Sequence, residues 1–381
     1  MLKNNKKVMV AGHICLDITP VFPSNPQKEL KDILIPGKLA NVDKADVHTG
    51  GAVANTGLAM KILGADVKLV GKIGEDYFGQ LIMNILDKYN VSDKMISSPN
   101  TSTSYSIVIS PPGVDRIFLH NSGANDDFVA NDISEDMLED VSLFHFGYPP
   151  LMKSIYKNQG EELLKIFKNM KAYNIATSLD MASIDPLSEA GSVDWNSILE
   201  RVLPYVDFFL PSVEELAFMI DKEKFNEWVI KANGKDITSI ISINDVKPLA
   251  DKLINMGAKV VLIKCGAPGI YYKTGDKDKL SSISSKIKLN LGSWSNREGF
   301  EKSYEPGKVV SATGAGDTSI ASFITAMLRG YSFDKCMQLS VATGAFCVST
   351  YDALSGIKPL DELEEIINRG WKKQDLIRER D

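Results

Sequence analysis

The chain has 381 residues, 44% of them hydrophobic and 24% charged, ordinary values for a folded globular protein that exclude a largely disordered one. Lys and Arg number 43 against 49 Asp and Glu, a formal net charge of −6, so the basic footprint of a nucleic-acid binder is missing. No apolar run reaches the ~18 residues that cross a bilayer. The four cysteines (Cys15, Cys265, Cys336 and Cys347) form no CxxC, and together these features predict a cytoplasmic protein with reduced thiols.

The length allows two or three domains, or one large α/β domain with a small appendage. Val8–Ala11 is the first buried-strand candidate and is too short for a signal-peptide core. Thr19–Asp46 is Pro-rich and poor in helical period. Ala52–Leu63 reads as a small-residue helix, Val67–Val70 as a strand and Phe78–Lys88 as a helix. Ser104–Ser110 and Arg116–His120 are β-like runs joined by Pro111-Pro112-Gly113-Val114-Asp115, a hairpin outside the strand–helix rhythm. Strands follow at Ser142–Phe146, Ala176–Leu179, Asp207–Leu210, Val260–Lys264 and Val309–Val310. Helices are predicted at Glu161–Tyr173, Val246–Met256, Ala315–Leu328 and Asp334–Val348. This alternation indicates an α/β fold: a mainly parallel central sheet with helices on both faces. Residues 1–381 then form one domain, with a small β lid from about 18–47 and 104–122. Ser183–Asp194, Asp221–Asp245 and Gly275–Gly307 read as surface insertions, the last as a long loop or mobile flap.

Three motifs can carry chemistry. Ser311-Ala312-Thr313-Gly314-Ala315-Gly316-Asp317 follows a strand and opens an apolar helix. Small residues permit close backbone approach, and the free N–H groups of a first helical turn can hold an anion. A carboxylate at Asp317 could take a proton from a substrate hydroxyl while those amides hold a phosphoryl group. The competing reading is a Gly-rich turn with Asp317 stabilising the helix dipole. In Gly50-Gly51-Ala52-Val53-Ala54-Asn55, Asn55 offers a donor and an acceptor to hydroxyls, although small residues there also suit tight helix–sheet packing. Asp17, just beyond the first strand, lies at the carboxyl edge where open α/β sheets bind ligands, or is simply a turn aspartate.

In this order, Gly12…Asp17, Gly50-Gly51…Asn55 and Gly314-Ala315-Gly316-Asp317 resemble the ribokinase-like (PfkB) carbohydrate kinase family. The similarity extends through Gly71-Lys72-Ile73-Gly74-Glu75-Asp76 and Thr318–Phe323, over roughly Val8 to Ile357. It implies transfer of the ATP γ-phosphoryl group to a hydroxyl of a sugar, nucleoside or related small molecule. It implies Asp317 as base, an anion hole from the amides of Gly314, Ala315 and Gly316, and substrate binding by Asp17, Gly50, Gly51 and Asn55. Lys264, Gly266, Gly269 and Thr313 are implied at the nucleotide site, with Mg²⁺ held mostly by phosphate oxygens and waters.

The chain departs from the family pattern at several positions. The second signature usually begins Asp-Thr and here begins Ser311-Ala312, which removes a carboxylate from a monovalent-cation site and implies weak dependence on K⁺. Asn-x-x-Glu appears as Ser212-Val213-Glu214-Glu215, which also fits a helix capping box, with Glu215 retained near the metal. Cys15 stands where ribokinases proper tend to carry Asn, which argues against ribose. A Gly-Ala turn expected near the adenine reads Asp352-Ala353. A nucleoside acceptor would need a stacking aromatic from Phe22, Tyr105 or Phe118; a non-catalytic homologue is a further alternative. A dinucleotide enzyme is disfavoured because the first strand–helix turn lacks GxGxxG. His13 and His48 flank the substrate motifs and are either ligand contacts or structural histidines. Exposed strand edges on the lid predict a homodimer formed through it.

Overall fold

Alternation along β1 (Lys7–Gly12) divides the protein's core in two. Val8 and Val10 pack with one apolar cluster, Met9 and Ala11 with another on the opposite face of the same sheet. The computed structural model describes residues 6–23, 30–111 and 117–377. β2 (Cys15–Pro20) and β3 (Ala45–Gly50) pair antiparallel; β4 (Asp66–Val70) returns beside β1. β5 (Lys72–Gly74) and β6 (Ile96–Ser98) form a short parallel ribbon, and β7 (Tyr105–Ile109) and β8 (Ile117–Asn121) an antiparallel pair. The chain then enters β9 (Val141–Gly147), β10 (Ala176–Asp180), β11 (Phe208–Phe209), β12 (Val260–Lys264), β13 (Gly269–Thr274) and β14 (Glu298–Lys302).

The main sheet has eight strands in the order β14-β13-β12-β11-β10-β9-β1-β4. Six are parallel, and β13 and β14 add an antiparallel edge. The second sheet has the order β3-β2-β7-β8 and is the small β lid. Neighbours in sequence swap faces through β11 and β12 as well: Phe208, Val260 and Leu262 join one cluster, Phe209, Val261 and Ile263 the other. Burial on both faces explains why these strands read as continuous apolar runs.

Several sequence expectations are corrected. Val309–Val310 is not a strand; both side chains are exposed, and the Val310 amide donates to the Val348 carbonyl. Gly275–Gly307 is no flap: it contains the helices Lys277–Ser281 and Leu291–Trp294, then edge strand β14. Trp294 anchors it by packing against Phe208, Phe323 and Phe333. Asp221–Asp245 carries the helix Lys222–Ala232. The Pro-rich stretch contributes strands β2 and β3 at its two ends, the pairing of which needed a partner distant in sequence. The hairpin's turn, 112–116, lies outside the described residues.

Candidate active site

Asp317 is the third residue of the helix Ala315–Leu328 and is 4% exposed. Gly314 caps this helix in a left-handed conformation (φ 74°), and a Cβ there would stand 2.2 Å from the Ala353 Cβ. Both demands require glycine. The first i→i−4 bond of the turn runs from the Thr318 amide to the Gly314 carbonyl, at 2.9 Å. The Ala315 amide donates instead to Ala312, at 3.3 Å, while the amides of Gly314, Gly316 and Asp317 have no acceptor among the described residues. Unpaired N–H groups at a helix start suit an anion.

Three donors grip the Asp317 carboxylate. Asn55 Nδ2 donates to Oδ2 (3.1 Å), Thr56 Oγ1 to Oδ1 (3.1 Å) and Tyr148 Oη to Oδ2 (2.7 Å). Burial pushes the Asp317 carboxyl above its ordinary range, opposed by Tyr148, Lys264, Asn55 and Thr56. Asn55 is thus a partner of Asp317. Tyr148 was not singled out in the sequence, where nothing but its place after an apolar strand marks it.

The other polar groups come from the carboxyl ends of parallel strands of the main sheet, the usual ligand edge of an open α/β sheet. Asp180 ends β10, Lys264 ends β12 and Tyr148 follows β9. Lys264 Nζ lies 2.5 Å from Asp180 Oδ1 and donates to the Leu210 carbonyl at 2.5 Å. Its stem passes beside Gly316, 3.3 Å from where a Cβ would stand. Burial pushes Asp180 up, to about 8, with Glu215 and Asp317 adding to the rise and Lys264 opposing it. Lys264 is raised overall: burial lowers it, but the surrounding carboxylates of Asp180, Glu215 and Asp317 prevail.

Asp17 belongs to β2, in the lid. The strand registers align His48, Asp17, Ser106 and His120 in one row across the four strands. Gly50 lies directly under Asp17, since a Cβ there would overlap Oδ2 at 2.1 Å. The Cys15 thiol donates to Asp17 Oδ1 at 3.4 Å. Burial raises the Asp17 carboxyl, countered by Cys15, Ser106, His48 and His120. Gly51 is the N-cap residue of the helix Ala52–Ile62, and the His13 ring packs against it. His13 is buried with neither ring nitrogen hydrogen-bonded among the described residues, and burial together with His120 keeps it well below its usual pKa, hence neutral. A cleft of about 650 Å³ joins Asp17, His48, Asn55 and Phe118 on one side to Ser311, Thr313 and Asp352 on the other.

Of the remaining sequence candidates, Ser311, Thr313 and Asp352 line this cleft, whereas Gly266, Gly269, Ser212 and Glu215 are not among its lining residues. Cys265 donates to the Gly269 carbonyl and Gly269 to that of Gly266, so both glycines shape the β12–β13 turn beyond Lys264. Ser212 and Glu215 form a capping box: the Ser212 amide donates to Glu215 Oε2 at 2.8 Å, and the Glu215 amide to Ser212 Oγ at 3.4 Å. Ser311 Oγ donates to Thr313 Oγ1 and accepts from the Thr313 amide, holding the turn before Gly314. Asp352 caps the amides of Leu354 and Ser355, each at 2.8 Å. No group of three His, Cys, Asp or Glu side chains among the described residues converges as a metal cage. No helix there is long and apolar enough to cross a membrane.

A carboxylate beside unpaired helix-start amides, at the carboxyl edge of an α/β sheet next to a β lid, is an arrangement suited to phosphoryl transfer, and the family match places the chain among phosphotransferases with an alcohol group as acceptor. Residues 5–359 match the pfkB family carbohydrate kinases, and the chain belongs to that family. It is 26% identical over 305 residues to an uncharacterized sugar kinase of Archaeoglobus fulgidus, covering 79% of this chain and 98% of that one. It is 21% identical over 371 residues to a 5-dehydro-2-deoxygluconokinase of Geobacillus thermodenitrificans, covering 94% and 92%. Among solved structures, an Arabidopsis thaliana ribokinase complexed with ribose and ATP superposes with a TM-score of 0.69 at 19% identity, covering 95% of this chain and 98% of the other. That likeness establishes the ribokinase-like fold.

Proposed function

We propose that this chain is a cytoplasmic enzyme that transfers the γ-phosphoryl group of ATP to a hydroxyl of a sugar or sugar-like acceptor, with Asp317 as general base. The observation that carries this reading is the buried Asp317 carboxylate within the same helical turn as the unpaired amides of Gly314 and Gly316. Asp317 takes the acceptor proton as the acceptor oxygen attacks the γ-phosphorus. The bond from that phosphorus to the β–γ bridging oxygen breaks, and the electron pair departs with ADP. The amides of Gly314 and Gly316 hold the transferring group, with Ala315 joining them if its bond to Ala312 opens. Lys264, beside Gly316, neutralises phosphate charge, and the Gly266–Gly269 turn and Thr313 border the nucleotide. Asp17, over Gly50, binds acceptor hydroxyls, with Gly51 beside it against the His13 ring.

A magnesium ion suits this site as one held chiefly by phosphate oxygens and water. Glu215 would reach its hydration shell through Oε1, since Oε2 accepts from the Ser212 amide. Bound there, the ion supplies charge neutralisation. A nucleoside acceptor is the second reading: Phe118, 53% exposed, borders the cleft as a surface for a base, whereas Tyr105 packs edge-on against Phe78.

A coupled ATP-consumption screen over sugars, sugar phosphates and nucleosides tests the proposal. Turnover of a sugar is expected, and Asp317→Asn should lower its kcat ~10²–10⁴-fold, the usual worth of a positioned base. Undiminished kcat in that variant would remove Asp317 from the role, and turnover of nucleosides alone would favour the second reading.

A further inference from the structure

We propose that Tyr148 is a positioning residue for Asp317, whose phenol keeps the buried carboxylate ionised and directs the acceptor to Oδ1. The inference rests on the reading of Asp317 as base.

Two donors, Tyr148 Oη at 2.7 Å and Asn55 Nδ2 at 3.1 Å, converge on Oδ2. A carboxylate oxygen has about two lone-pair sites, so Oδ2 is filled. Oδ1 accepts from Thr56 among the described residues and keeps room for one more hydrogen. That leaves Oδ1 as the atom to take the acceptor's proton.

The phenol also bears on the charge of the site. Asp317 is faced by Asp180 from β10, Cys347 from the helix Phe333–Cys347 and Lys264 from β12, while Glu215 from the helix Val213–Ile220 acts on the same lysine and on Tyr148. Burial favours protonation of Asp317, and a protonated Asp317 cannot act as base. Donors to the ionised form oppose this. Of the influences that hold Asp317 down, the Tyr148 hydrogen bond is the largest.

The backbone is arranged around the same contact. Tyr148 has φ 65° and ψ 43°, left-handed, immediately before Pro149 and Pro150. A bulky residue rarely adopts that conformation unless its surroundings hold it there. Here the turn aims the ring from the end of β9 towards Asp317, with the neutral His13 ring 6.1 Å away on one side.

The test is the pH dependence of kcat/KM for the best acceptor in wild type and Tyr148→Phe. A charge-assisted hydrogen bond lost from Asp317 should move the acid limb up by about one pH unit, with KM for ATP unchanged. A fluorinated tyrosine incorporated at position 148 is a stronger donor, so the limb should move down; it also carries the test if Tyr148→Phe fails to fold. Infrared titration of the Asp317 carboxyl in nucleotide-free protein, its band identified by loss in Asp317→Asn, should follow the same order. An acid limb and carboxyl titration unmoved by these changes would overturn the inference. If Asp317→Asn itself keeps full turnover, the underlying reading of the base fails instead.

Discussion

Lys264 Nζ stands 2.5 Å from Asp180 Oδ1, and this buried pair closes the carboxyl edge of the sheet beside Gly316. The lysine answers to more than one acid, since Glu215 and Asp317 also act on it. A surplus of carboxylates over cations is an unfavourable arrangement for an empty protein and a favourable one for binding further positive charge.

Burial, reinforced by that surplus, sets a pH dependence. Asp180 is raised in the folded state, to about 8, above its value of 3.8 in the unfolded chain. A raised group binds more protons folded than unfolded, so its stabilisation is complete below about pH 3.8 and is lost as the pH rises through about 8. Asp180→Asn removes this titration. The melting temperature of wild type relative to Asp180→Asn should therefore fall between pH 5 and pH 8 in nucleotide-free protein, followed by calorimetry. A difference that stays constant with pH would contradict the assignment.

Asp17 should serve the acceptor alone. Asp17→Ala leaves substrate hydroxyls without their charged partner, and ~2–4 kcal/mol should be lost from acceptor kcat/KM. KM for ATP should hardly change. Steady-state kinetics with each substrate varied in turn separate the two, and an effect confined to ATP would move Asp17 out of the acceptor site.

The lid should join two chains. Edge strand β8 is exposed along its length, with Phe118 at 53% and Leu119 at 52%, and Val47 lies exposed on the opposite edge strand β3. Pairing of one lid with its copy would cover these edges and enclose the cleft. Light scattering at micromolar concentration should give the mass of a dimer, and Leu119→Lys should shift it towards the monomer. A monomeric wild type would refute the pairing.

Potassium should matter little. Ser311 stands where the family pattern has an aspartate, and its hydroxyl is engaged with Thr313. A neutral hydroxyl attracts a cation far less than a carboxylate does. Lys308, three residues before Ser311, is exposed. Initial rates with K⁺ added at constant ionic strength should rise less than about tenfold, or ~1.4 kcal/mol at the transition state. A larger stimulation would mean that backbone carbonyls suffice to hold the ion.

The features legible from the order of residues alone are local. The Gly314-Ala315-Gly316-Asp317 turn, the Ser212…Glu215 capping box and the apolar runs of β1, β9 and β12 each depend on residues within a few positions of one another. Steric freedom, capping and periodicity act at that range, so the parallel sheet and the position of Asp317 in the first helical turn were legible. Val309–Val310 is the exception: it has a strand's composition, but no strand among the described residues covers it, and the run stays in an exposed loop.

The surroundings of Asp317 were decided by tertiary structure. Tyr148 and Asn55 meet the same oxygen from 169 and 262 residues away, and no periodicity or motif encodes such a meeting. It follows from the order of β9, β10 and β12 in the sheet, which brings Tyr148, Asp180 and Lys264 to one edge, and from the seating of the helix Ala315–Leu328 against Ala52–Ile62. Strand pairing in the lid likewise aligns His48, Asp17, Ser106 and His120. Register across strands depends on the packing of faces distant in sequence, so these side chains acquire common partners only in the folded chain.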